Sequence, residues 1–241
     1  MNGNRVLWVT GAGSGIGRAT AVAAAARGWW VALSGRREAA LDGTARLIAE
    51  TGGQWLTLPL DARNPIEVSA ARERILATWE QVTDLVLAAG LNTPHRYWND
   101  RTLETFESIV ATNLTAAARL IDTVLPDLRA RRFGQIVMVS SYSAWRFSPH
   151  AGVAYSASKT ALAAICQSLN AQVAEHGVRA CHLCPGDVDS DFLELRPEVP
   201  EPEGRRAMLS PGDIAAAILY VLGVPAHVRI DELVISPMSQ A

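Results

Sequence analysis

Apolar residues along the chain gather in short runs separated by longer amphipathic stretches, and the alternation repeats from one end to the other. Val6, Leu7, Trp8 and Val9 form an unbroken apolar run, the pattern of a strand covered on both faces. An Ala-rich stretch continues to Arg27, where Gly28 reads as a helix stop. Further strands are predicted at Trp30 to Ser34, Trp55 to Leu60, Leu85 to Ala88, Gln135 to Val139, Val178 to Leu183 and Leu233 to Ile235. Helices are predicted over Glu38 to Glu50, Pro65 to about Glu80, Leu103 to Ala130, Ala157 to Glu175, and after Pro211. Asn64, Pro65 and Glu67, and again Ser210, Pro211 and Asp213, fit the cap, first and third positions of a helix start. Strands alternating with helices of this length imply parallel crossovers. The expected fold is a single α/β domain over residues 1–241, a doubly wound parallel sheet of about seven strands with helices on both faces.

One region breaks the rhythm. Asp187 to Leu209 holds Pro197, Pro200 and Pro202 among many charges, too proline-rich and polar for a core element. It follows the C-terminal end of a strand, where open α/β sheets bind ligands, so residues 187–209 read as a mobile lid over a substrate. The length of 241 residues and a hydrophobic share of 49% suit one large core. With 22 basic and 24 acidic residues the net charge is -2, which argues against a nucleic-acid or anionic-membrane surface. Gly11 to Gly17 interrupts the only N-terminal apolar run, and no stretch of 18 uncharged apolar residues follows, so neither a leader nor a membrane span is expected and the cytoplasm is the simplest setting. Three cysteines are too few for a disulfide scaffold. Cys181 and Cys184 have metal-like spacing around His182, but on a strand positions three apart face opposite sides, so no metal is expected.

The candidate chemistry begins at the turn between the first strand and helix. Gly11, Gly13, Gly15 and Gly17, with Ser14 and Ile16 between them, leave little bulk, as backbone N–H groups cradling a phosphate require. The spacing is T-G-x-x-x-G-x-G from Thr10, not G-x-G-x-x-G, and glycine turns of this kind also occur in folds that bind nothing there. Tyr155 and Lys159 stand four apart, on one face of a helix, where an ammonium can stabilise a tyrosinate. Ser140 and Ser141 end the fifth strand, where a hydroxyl can donate to a carbonyl oxygen. The G-x-S-x-G elbow of serine hydrolases is absent.

Taken together, Asn113, Ser141, Tyr155 and Lys159 with the turn from Thr10 to Gly17 resemble the classical short-chain dehydrogenase/reductase family, over almost the whole chain. That resemblance implies a Rossmann-like fold, a nicotinamide dinucleotide, and hydride transfer to or from a carbon bearing oxygen in a small alcohol or ketone. Tyr155 would pass the proton, Ser141 orient the oxygen, Lys159 hold the ribose hydroxyls and depress the tyrosine pKa, and Asn113 hold a water. Asp61 would meet the adenine, Pro185, Gly186 and Ser190 would clasp the nicotinamide, and Ala62, Ala89, Gly90 and Val188 would also bind the cofactor. A homo-oligomer, as a tetramer, is implied too. Two departures stand out. Leu87-Ala88-Ala89-Gly90 replaces the family's Asn-Asn-Ala-Gly, and the Ser141 to Tyr155 spacing is one residue longer than usual, which leaves Ser140 as a fallback. Tyr97, Trp98, Trp145 and Phe147 are candidate apolar pocket surface, and His95 and His150 lie in loops after strand ends.

The end of strand two favours NADP over NAD, without excluding NAD. Gly35 stands where an acid would accept from the ribose 2'-hydroxyl, and Arg36 and Arg37 follow, with Ser34 able to add a hydroxyl and Arg18 positive potential. The rival readings are a dinucleotide-binding sensor or scaffold without turnover, and a non-redox epimerase or dehydratase on the same fold.

Overall fold

The computed structural model describes residues 5–240. Its strands are β1 (Val6–Thr10), β2 (Trp30–Gly35), β3 (Gln54–Pro59), β4 (Asp84–Leu87), β5 (Gly134–Val139), β6 (Val178–Pro185) and β7 (Glu232–Ile235). They form one parallel sheet in the order β3-β2-β1-β4-β5-β6-β7. The α-helices are α1 (Gly15–Ala25), α2 (Glu38–Glu50), α3 (Pro65–Trp79), α4 (Leu103–Val110), α5 (Ala116–Arg131), α6 (Tyr142–Trp145), α7 (Val153–Val173), α8 (Pro202–Arg205) and α9 (Pro211–Gly223). Alternate residues of one strand enter opposite cores. Val6 and Trp8 join Leu85, Ile136 and Leu120 on one side of the sheet, whereas Leu7 and Val9 join Leu33, Val137 and Ile218 on the other. This is the doubly wound architecture that the alternating pattern predicts, and the strand order reverses at β1 and β4, opening a crevice at their C-terminal ends.

Local chemistry sets most boundaries. The Asn64 side chain accepts from the Ile66 amide at 3.0 Å, and Ser210 and Asp213 cap one another reciprocally at the start of α9. Glu67 bonds the Asp61 amide at 2.7 Å and the Asn64 side-chain amide at 2.6 Å, closing the β3 end onto α3. The helix expected from Ala157 already begins at Val153, so Tyr155 lies in its first turn. The helix expected over Leu103 to Ala130 is divided by a π-helical turn at Ala111–Thr115. By length and composition the run Leu103–Arg131 could cross a membrane, but here Ile109, Leu120, Ile121, Val124 and Leu128 are buried within the protein.

The end of the sheet away from the crevice is held by a buried charge. Asp84, fully buried, receives Arg5 Nε at 2.9 Å, a second Arg5 nitrogen, and the Thr83 hydroxyl at 2.7 Å. Burial pushes the Asp84 carboxyl up despite the opposing pull of Arg5, so the carboxylate depends on that guanidinium. Arg5→Met is expected to lower unfolding stability by about 3 kcal/mol in urea titration, and adding Asp84→Leu to restore most of it. A single variant as stable as the parent would contradict this.

Candidate active site

The crevice is a cleft of about 1360 Å³, larger than the roughly 300–1000 Å³ of a typical small-ligand pocket and roomy enough for a dinucleotide beside a second molecule. Its first wall is the turn that carries the chain from β1 to α1. Gly11 and Gly15 have φ of 65° and 49°, and a Cβ on Gly11 would stand 2.9 Å from the Ala88 carbonyl oxygen and the Ala89 amide nitrogen. On Gly17 it would lie 2.3 Å from the Gly11 carbonyl oxygen. Only glycine therefore lets the turn close onto β4 and onto the first turn of α1. Ser14 begins α1 without a side-chain cap, and no acid occupies the first turn, so the helix N-terminus keeps its amide donors and partial positive charge for an anion. Arg18 buttresses the turn, donating to the Gly13 carbonyl and, at 3.2 Å, to the Thr44 hydroxyl.

Gly13, Ser14, Ile16, Arg36, Arg37, Asp61, Ala62, Ala89, Gly90, Pro185, Gly186, Val188 and Ser190 all line the cleft. Thr10 and Ser34 line the cleft as well, with their hydroxyls engaged in the scaffold. Ser34 is fully buried, its hydroxyl accepting from Trp8 Nε1 at 3.0 Å and donating to the Val9 carbonyl at 3.2 Å, so its hydrogen is engaged within the sheet. The Thr10 hydroxyl accepts from the Ala88 and Ala89 amides at 3.1 and 3.2 Å, so its side chain pins β1 to the end of β4. Arg36 and Arg37 are exposed and make no side-chain hydrogen bond or ion pair among the described residues. Asp61 holds Arg63 in a bidentate pair, with Nε–Oδ1 3.0 Å and Nη2–Oδ2 2.6 Å, and the guanidinium keeps its carboxyl below the usual range.

The opposite wall gathers the chemistry. Ser141 caps α6, and its oxygen accepts from the Ser143 amide at 3.2 Å and the Ser143 hydroxyl at 3.1 Å. With both lone pairs engaged, its own hydrogen is left to donate. Ser140, the fallback, gives its hydroxyl to the Lys159 carbonyl at 3.0 Å and so belongs to the scaffold. Lys159 Nζ donates to the Val139 carbonyl at 2.8 Å and lies 5.8 Å from the centre of the Tyr155 ring. Burial pushes the Lys159 ammonium down to about 8. Burial also raises the Tyr155 phenol, opposed by the Ser141 hydroxyl and by the charges of Arg96 and Arg196. In this state burial outweighs the cations around Tyr155.

Asn113 does not reach the cleft. The π-turn directs it at the loop after β4, where Oδ1 accepts from the Leu91 amide at 2.7 Å and Nδ2 donates to the Leu91 carbonyl at 2.9 Å and the Ser158 hydroxyl at 3.2 Å. Both amide hydrogens are committed, so the side chain braces the floor of the site. Tyr97 and His150 line the cleft, whereas Trp98 and Phe147 are 73% and 84% exposed and His95 also faces solvent. Sequence reasoning missed Arg96, Phe192 and Arg196, which come beside Tyr155. Nothing in the local pattern around them distinguishes these residues from surface ones.

Residues 187–209 are more ordered in their contacts than a solvated loop. Val188 bridges Leu209, Leu193 is buried, the Phe192 ring lies 5.9 Å from that of Tyr155, and Arg205 pairs with Glu194 at 2.8 Å. Farther along β6, His182, Cys184 and Glu232 offer ligand atoms within 4.8 Å of one another, a cluster that the Cys181 and Cys184 spacing did not foretell. Their contact is met by the His182 Nδ1–Glu232 Oε1 pair at 3.0 Å.

Comparison with known proteins bears on this geometry. The family pattern described as short chain dehydrogenase matches residues 5–199. An uncharacterized oxidoreductase of Staphylococcus haemolyticus is 33% identical over 238 residues, 99% of each chain. An alcohol dehydrogenase of the archaeon Thermococcus sibiricus, solved in complex with 5-hydroxy-NADP, is 27% identical with a TM-score of 0.87 over 98% of both chains. A serine dehydrogenase solved in its closed form with NADP+ is 26% identical with a TM-score of 0.85, covering 98% of this chain and 96% of that one. The chain is an oxidoreductase belonging to the short-chain dehydrogenase family.

Proposed function

We propose that the protein interconverts a secondary alcohol and its ketone with a nicotinamide dinucleotide, NADP in preference to NAD. The observation that carries this reading is the convergence, in one cleft, of Ser141, Tyr155 and Lys159 with an uncapped helix N-terminus behind a glycine turn. A nicotinamide held in this cleft would supply or take the hydride. In the direction of reduction the Ser141 hydroxyl, whose oxygen Ser143 occupies and whose hydrogen is directed at Tyr155 before substrate binds, donates that hydrogen to the carbonyl oxygen and holds it in place. Tyr155 gives that oxygen its proton and in oxidation takes one back. Lys159 keeps two N–H groups beyond its bond to Val139, suited to ribose hydroxyls, and its charge favours the tyrosinate formed when the proton leaves. Asn113 acts by fixing Leu91, and residues 187–209 cover the substrate end of the cleft.

Tyr155→Phe is expected to lower turnover at least about a thousandfold with any alcohol or ketone the parent accepts, while NADPH binding measured by fluorescence titration stays near the parent value. Retained turnover would remove Tyr155 from the proton step.

Cofactor choice rests on the end of β2. A Cβ on Gly35 would meet only Leu41 Cδ2, at 3.5 Å, so an aspartate fits there, and its absence leaves the unpartnered Arg36 and Arg37 to meet a 2'-phosphate. The Thermococcus alcohol dehydrogenase and the serine dehydrogenase were both captured with an NADP species. A charged bidentate contact contributes about 1.5–3 kcal/mol, so kcat/KM should favour NADPH by about tenfold to a hundredfold. In Gly35→Asp with Arg36→Ala the preference should reverse toward NADH. A parent that already favours NADH would show that Arg36 does not read the phosphate.

A further inference from the structure

Arg96 is 6% exposed and has no carboxylate partner among the described residues. Its Nε donates to the Thr93 carbonyl at 2.7 Å, Nη1 to the His150 carbonyl at 3.5 Å, and Nη2 to the Leu195 carbonyl. Three of its five N–H groups are thereby met, leaving one on each terminal nitrogen. Neutral carbonyls hold the group in place, yet they do not neutralise it. A buried guanidinium without a counter-ion is costly, and the usual remedy is a carboxylate in bidentate contact. Burial already depresses the Arg96 pKa.

The position of this charge gives it meaning. Arg96 lines the substrate end of the cleft together with Tyr155, His150 and Phe192. Arg196 approaches the same place from residues 187–209, and both arginines act on Tyr155 as positive charges. Asp187 is bound to Arg196, and Asp100 acts on Arg96 only from a distance, its carboxylate turned to the Tyr97 amide and His95. Arg196 thus has its own anion at the reacting end of the cleft, and Asp191 and Glu198 line the same cleft without pairing with Arg96, which leaves a place for one negative charge beside that guanidinium.

We propose that the substrate supplies that charge: it carries a carboxylate close to its carbinol or carbonyl carbon, and Arg96 receives it. The protein is thus a dehydrogenase of small hydroxy acids and their oxo acids. Arg96 places the oxo carbon by holding the acid end, and its bond to the Leu195 carbonyl couples occupancy to the segment that covers the cleft. The proposal rests on the redox reading above.

The test pairs 2-oxo and 3-oxo acids with their methyl esters, with NADPH oxidation as the readout, and separately measures butanoate against butanamide binding to NADPH-saturated protein by calorimetry. The parent should favour the better acid over its ester at least about tenfold in kcat/KM and bind butanoate over butanamide by a similar factor. Arg96→Gln should bring both ratios close to one, and Arg96→Lys should restore part of the butanoate preference. Equal use of acid and ester, an amide bound as well as the acid, or a variant that loses both partners of a pair in the same proportion would each overturn the proposal. The binding arm decides it without turnover, whereas failure of the redox reading would show as no NADPH oxidation with acid or ester alike.

Discussion

A buried ammonium is the constraint on which the cleft depends. Lys159 is 4% exposed, and burial lowers its pKa to about 8, so keeping it charged at neutral pH costs on the order of 3 kcal/mol. The surroundings are arranged to hold it where it is. The end of β5 offers the Val139 carbonyl, and the next residue, Ser140, bonds the Lys159 backbone, which fastens α7 to the strand. Gly90 has no Cβ where one would stand 3.7 Å from Lys159 Nζ, and the π-turn brings Asn113 against the neighbouring Leu91. Fold stability and site geometry pull against one another here, as they commonly do where a charged group is kept for chemistry.

The same logic explains the other wall. Thr10, a residue without special freedom, ties β1 to β4 through its hydroxyl, and the glycine beside it then closes the approach that a side chain would block. The turn is narrow because β1 and β4 are neighbours at the point where the strand order reverses. Replacement of the family's two asparagines by Leu87 and Ala88 is absorbed by packing: Leu87 joins the core with Leu85 and Ile136.

Features set by neighbours in the chain are legible in the amino-acid sequence itself. The apolar runs mark the strands, and Asn64 and Ser210 mark helix starts because their side chains reach amides two or three residues on. The glycine turn and the Tyr155 and Lys159 pair are readable for the same reason. What escapes depends on distant partners. Arg96 looks like any surface arginine until the carbonyls of His150 and Leu195, 54 and 99 positions away, enclose it. Ser34 looks free at a strand end, but the neighbouring strand places Trp8 against it. Asn113 is marked by its motif, yet its direction comes from a π-turn that periodicity does not reveal.

In the proposed reaction Ser141, Tyr155 and Lys159 serve a hydride transfer rather than a proton shuffle within a bound substrate. This is tested most directly with NADPH carrying deuterium at both C4 positions, incubated with the protein and an oxo compound, followed by mass spectrometry of the product. One deuterium is expected on the carbinol carbon for every cofactor molecule oxidised. Product formed without deuterium, and without net cofactor oxidation, would contradict it.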